Sequence, residues 1–179
     1  MTRRCPMSTA RIPDPTLMAR LQLSVKGLDW AASLVQPYQH RQPEGRWSAH
    51  QHVYHLLGIE RMLRERIERT LREDEPHLPE WDEASYMAAH RPEPDITTLA
   101  DEAMAERAKT FELLRGLAPE QWLRTAVWPD GRRVDVAWLA ERALWHALYH
   151  FQALIDLHGR FEALQAERWR QGTVAAPKE

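Results

Sequence analysis

Asp135-Val136-Ala137-Trp138-Leu139-Ala140-Glu141-Arg142-Ala143-Leu144-Trp145-His146-Ala147-Leu148-Tyr149-His150-Phe151-Gln152-Ala153-Leu154-Ile155-Asp156-Leu157-His158 is unbroken by glycine or proline and opens on a residue suited to an N-cap. At about 100° per residue, Leu139, Ala143, His146, His150, Ala153, Leu154 and Leu157 share one arc, with Glu141, Arg142, Tyr149, Gln152 and Asp156 opposite. The stretch therefore predicts a long helix whose inward face carries two histidines near its middle. Gly159 marks an expected stop or kink, and Arg160 to Arg170 an added last helix.

Working outward, three more helices follow from the same periodicity. Asp14-Pro15 reads as a cap and first turn, and Leu17, Leu21, Val25, Leu28 and Ala32 mark one face up to Pro37. Ser48-Ala49-His50-Gln51 is a capping box that opens a second helix through Val53, Leu56, Leu57, Leu63 and Ile67 to about Arg72. Residues 73–95 hold four prolines and read as a long connection with a short helix near Asp82 to Ala89. Thr97 or Thr98 is the expected cap of a third helix reaching about Leu117. Pro129-Asp130-Gly131, between Val127-Trp128 and Val134, predicts a small hairpin. Four long amphipathic helices predict an all-α four-helix bundle, and the long second connection suggests a crossover. The expected arrangement is one domain over residues 14–170, with residues 1–13 and 171–179 as flexible termini.

The bulk composition excludes several classes of function. The 179 residues carry 24 basic and 26 acidic side chains, a net charge of −2, which argues against nucleic acid or an anionic membrane as partner. No apolar run reaches the length of a bilayer span, and the basic start, Met1 to Met7, is not followed by the apolar stretch of a secretory signal. The lone Cys5 offers neither an intrachain disulfide nor a cysteine-based metal motif, which fits a cytoplasmic location. Seven glycines are few for this length and favour helices over tightly turned sheet.

Chemistry concentrates on histidine. His146 and His150, four apart, stand about 40° apart around a helix axis and about one turn apart along it. His55 lies at the edge of the second helix's apolar arc beside Ile59 and Met62, and His52 lies within that arc. Two imidazoles on one helix can grip a cation, and a third from a neighbouring helix completes a facial set with an open position. Burying neutral imidazoles without partners costs on the order of a few kcal/mol. A metal ion is one remedy; hydrogen bonds to backbone or carboxylate are another. Ala147 stands where HExxH would place its glutamate, which argues against a zinc protease. Two charges also fall on apolar faces, Glu60 on helix two and Arg107 on helix three, and a buried ion pair between helices would neutralise both.

The order of these motifs resembles the DinB/YfiT-like superfamily. Arg46-Trp47-Ser48 opens helix two, His55-Leu56 follows eight residues after the tryptophan, and His146-x-x-x-His150 follows a Pro-Asp-Gly turn. The resemblance spans about residues 14 to 158 and implies a bundle in up-down-down-up order. It implies one divalent metal, usually nickel or zinc, held by His55, His146 and His150. It also implies either a metal-dependent hydrolase or an S-transferase or isomerase that uses a low-molecular-weight thiol such as bacillithiol or mycothiol, and commonly a homodimer. This sequence departs from the pattern at two places, where Ala147 and Ala153 replace an acidic residue and a glutamine.

The expected function is thus that of a divalent-metal-binding protein acting on a small-molecule substrate, a hydrolase or thiol transferase. A non-catalytic metal- or ligand-binding bundle dimer is the alternative, favoured by the want of any acid evidently near the three histidines. A third reading is a structural dimer with hydrogen-bonded core histidines. A second apolar stripe, Ala140, Leu144, Leu148, Phe151 and Ile155, supplies the expected dimer face.

Overall fold

The computed structural model describes residues 14–172, so the expected flexible termini lie outside it except for Gln171 and Gly172, and Cys5 lies outside it altogether. In chain order the elements are α1 (Leu17–Leu23), α2 (Leu28–Val35), a short 3₁₀ turn (Gln36–Tyr38), α3 (Ala49–Arg72), α4 (Glu83–Ala88), α5 (Ile96–Arg115), α6 (Pro119–Trp122), β1 (Thr125–Val127), β2 (Arg133–Asp135) and α7 (Val136–Arg170). The α3 helix packs on both α5 and α7, and α1 and α2 pack on the same two helices. Among the described residues, no helix is long and apolar enough to cross a membrane.

Local chemistry sets most boundaries where expected. Ser48 and Gln51 form the capping box of α3, the Ser48 hydroxyl accepting from Gln51 N and the Gln51 side chain from Ser48 N. Asp135 caps α7 by accepting from Trp138 N at 2.7 Å. The hairpin pairs Ala126 with Val134 across the Pro129-Asp130-Gly131 turn.

Three expectations are corrected. The first helix is two, because Gly27 adopts φ +92° and restarts the chain as the N-cap of α2. The apolar face nonetheless continues across the break: Leu17, Leu21, Leu28 and Ala32 are all buried. The third helix is capped by Asp95 rather than by a threonine; its carboxylate accepts from both Thr97 N and Thr97 Oγ1. The α7 helix runs on to Arg170, as one helix with the segment expected to be a separate last one, and does not stop at Gly159. Beyond it, Phe161 is buried against the Tyr38 ring, 4.6 Å between centroids, so the apolar face outlasts the glycine. A helical glycine costs about 1 kcal/mol, less than burial of a phenylalanine contributes.

The apolar interior forms two clusters. One gathers Val25 to Tyr38 with Val53, Leu56, Leu99 and Leu154; the other gathers Leu17 and Leu21 with Leu63, Ile67, Leu114 and Leu139. Along α3, α5 and α7 the change from one cluster to the other falls next to Glu60, Arg107 and His146. Glu60 and Arg107 do pair across helices, as expected. The dimer stripe is partly used within the chain: Ala140 and Leu144 are buried, Phe151 and Ile155 pack on the core, and Leu148 stays exposed beside Trp145 and Tyr149.

Candidate metal centre

Three helix-borne histidines meet where α3 crosses the middle of α7. His55 Nε2 lies 3.0 Å from His146 Nε2, and His150 Nε2 lies 3.1 Å from the same atom. The ligand-type nitrogens of the three lie within 4.8 Å of one another, a group able to hold a metal ion. His55 and His150 are buried and His146 is half-buried.

These contacts cannot all be good hydrogen bonds. An imidazole nitrogen bears either one proton or one in-plane lone pair, so His146 Nε2 can serve one of its two neighbours and not both. A shared cation resolves that conflict by accepting every lone pair at once. Nitrogens bound at about 2.1 Å in a tetrahedral set stand about 3.4 Å apart. Two edges, at 3.0 and 3.1 Å, are a few tenths of an ångström shorter than that and the third is within 4.8 Å, so a small adjustment fits the donor set to a zinc-type cation.

Electrostatics point the same way. Burial pushes His55 down to about 4 from its ordinary 6.5. Burial, followed by the neighbouring His55, Arg142 and Arg107, does the same for His146. His150 falls to about 2, through burial and then His146, His52 and His55. All three imidazoles are thus neutral near pH 7, the form that binds metal.

Residues 21–154 match the DinB superfamily. The chain belongs to the DinB superfamily. No curated protein matches it. YfiT from Bacillus subtilis is similar in structure, with a TM-score of 0.75 at 20% identity over 82% of this chain and 86% of its own; it is described as a probable metal-dependent hydrolase with an unusual four-helix bundle topology. YjoA, a DinB-like protein from Bacillus subtilis, gives a TM-score of 0.58 at 20% identity over 82% of this chain and 92% of its own. The likeness bears on fold, and it establishes for this DinB-superfamily protein the four-helix bundle expected from its sequence.

The histidines of this superfamily member form the floor of an open cavity of about 600 Å³. Arg46, Trp47, Glu83, Tyr149, Asp156 and Arg160 are among its walls. The Trp47 ring lies 4.8 Å from that of His55 and stacks at 6.3 Å on that of His150, an apolar brace for both. Tyr149, Gln152 and Asp156, expected on the face of α7 away from the histidines, line the same cavity. The cavity therefore extends around the flank of α7, since Gln152 stands about 120° or more around the axis from either histidine.

Two neighbours of the histidines were not singled out from the sequence as part of the site. His52 Nδ1 lies 3.0 Å from His150 Nδ1, so it can accept the proton that His150 must carry there if its Nε2 ligates. Its i, i+3 spacing from His55 was the available signal. Glu83, at the start of α4, places Oε1 3.7 Å from His55 Nδ1. This corrects the expectation that no acid stands near the three histidines; α4 arrives from a long connection whose path no periodicity encodes. Ala147 is packed in the core and Ala153 faces the cavity, so neither supplies a polar contact to a ligand.

Proposed function

We propose that this protein is a metal-dependent enzyme acting on a small molecule, with His55, His146 and His150 as the ligands of one divalent ion. The observation that carries this reading is the convergence of the three Nε2 atoms on the floor of an open cavity. Nickel or zinc suits three imidazoles. When bound, such a cation supplies a Lewis acid that makes water, or the thiol of a low-molecular-weight cofactor, reactive near neutral pH.

Hydrolysis is the preferred chemistry. The histidines act as ligands and not as acid–base groups, because their lone pairs are engaged. Glu83 and Asp156 bring carboxylates to the cavity wall, where a reaction that releases a proton finds acceptors. Those carboxylates favour an enzyme over a non-catalytic binding module. Arg46 and Arg160 stand at the same wall and can orient an anionic group of a substrate. The cavity volume lies within the range of small-molecule sites, about 300–1,000 Å³. Thiol transfer is the second chemistry this site supports, since an open coordination position accepts a thiolate as readily as water. A homodimer through the exposed Trp145, Leu148 and Tyr149 of α7 completes the proposal.

Elemental analysis of purified protein tests the centre directly. One equivalent of zinc or nickel is expected in wild type and none in the His146→Ala/His150→Ala variant; equal metal in both would overturn the assignment. Ester, amide and thiol-conjugate substrates assayed with and without added thiol then separate hydrolysis from transfer.

A further inference from the structure

We propose that Glu83 is a positioning residue for His55, and that through it the α4 segment is coupled to occupancy of the metal centre. The proposal rests on the reading of His55 as a ligand.

A neutral imidazole that ligates through Nε2 must carry its proton on Nδ1, and that N–H needs an acceptor when it is buried. His150 has such a partner in His52. His55 does not: its Nδ1 is buried and, among the described residues, without a hydrogen-bond partner, in a residue only 3% exposed. The Glu83 carboxylate stands 3.7 Å away, just beyond hydrogen-bond length and within reach of a small side-chain adjustment. The His55 ring is braced between Trp47, at 4.8 Å, and Trp81, at 5.4 Å, so its free nitrogen keeps one direction.

The Glu83 side chain is half-exposed, at 53%, but its backbone is held in place. Glu83 is the first residue of α4, capped by Asp82, and α4 is fastened to α3 by a reciprocal pair. The Tyr86 hydroxyl donates to Tyr54 O at 3.1 Å, and the Tyr54 hydroxyl donates to Tyr86 O at 3.4 Å. The Tyr86 ring lies over Gly58, one helical turn from His55, where a Cβ would come within 2.5 Å of it. The absent side chain at Gly58 thus lets α4 approach α3 closely enough to bring a carboxylate to the ligand. Metal binding fixes the proton on His55 Nδ1, which strengthens its interaction with Glu83 and so holds α4 down.

Zinc affinity of the full chain, measured by competition with a chromophoric chelator, tests this alongside amide hydrogen exchange over residues 81–90. Glu83→Ala should weaken zinc about 10–100-fold and abolish zinc-dependent protection of that segment. Glu83→Gln, which retains an acceptor oxygen without the charge, should lose less. Far-UV dichroism establishes that each variant is folded. Zinc binding and α4 protection as in wild type for Glu83→Ala, with His55→Ala unable to bind, would overturn the role of Glu83 and leave the metal centre standing. An equal loss in Asp156→Asn, on the same cavity wall, would assign the effect to general charge and also overturn it. Wild-type affinity in His55→Ala would remove the centre and this inference together.

Discussion

Arg107 holds Glu60 through two parallel hydrogen bonds, Nε to Oε2 at 2.8 Å and Nη2 to Oε1 at 2.6 Å, with both side chains almost wholly out of solvent. The remaining donors reach Leu21 O, Ser24 Oγ and Ala143 O, so one guanidinium ties α1, α3, α5 and α7 together at the level where the two apolar clusters meet. Arg107→Met or Glu60→Leu alone should destabilise by about 3–5 kcal/mol, because each leaves the partner charge buried and uncompensated. The pair replaced together by apolar residues should lose less than the sum. Urea unfolding of the four species gives the coupling, and strictly additive losses would reject it.

Acid should weaken the metal-free protein through its histidines. His52, His55 and His146 sit near 4 in the folded chain and His150 lower, against 6.5 when unfolded, with burial the leading cause in each. Below pH 6.5 the unfolded chain therefore binds more protons than the folded one. Stability is highest above that value and is lost as pH falls through about 4. Thermal unfolding of chelator-treated protein between pH 8 and 4 should show this decline, and the His52→Phe/His150→Leu variant should show a shallower one. A flat profile would contradict neutral burial of these rings.

Gly58→Ala offers a direct measure of how tightly α4 is docked. Alanine favours a helix by about 1 kcal/mol over glycine in an open position. Here its methyl would meet the Tyr86 ring at 2.5 Å, and that ring is held by its hydroxyl bond to Tyr54. The expected result is a net loss of stability and faster exchange in residues 83–88. Adding Tyr86→Ala should make Gly58→Ala neutral or stabilising; a stabilising single variant would show that α4 yields without cost.

Light scattering at micromolar concentration decides the oligomer. Trp145, at 64% exposed, and Tyr149, at 66%, flank the exposed Leu148 on α7, an apolar surface suited to a symmetric partner. A dimer near 42 kDa is expected, twice the 21.0 kDa chain, and Trp145→Glu should return it to monomer. A wild-type monomer mass at every concentration would remove the dimer.

Local pattern carried most of the architecture. The period of Leu139, Ala143, Leu154 and Leu157, the capping box at Ser48 and the cap at Asp135 depend on residues within one or two turns of each other, so they could be read from the chain alone. The same local geometry placed His146 and His150 one turn apart on an inward face and His55 at the edge of another, and the resemblance implied that the three share a metal. Gly27 and Gly159 show the limit of that reading. A glycine permits a break without requiring one, and distant packing decides: α2 restarts after Gly27, whereas the burial of Phe161 against Tyr38 carries α7 past Gly159. The neighbours of the histidines were likewise beyond local pattern. His52 meets His150 from another helix, and Glu83 reaches His55 only because Gly58 admits Tyr86 and thereby α4. The sequence by itself determined the long helices, the caps at Ser48 and Asp135 and the inward histidine pair, because those follow from short-range periodicity and backbone hydrogen bonding. Tertiary structure alone decided which side chains surround the three imidazoles, because that depends on how segments far apart in the chain exclude water from one another.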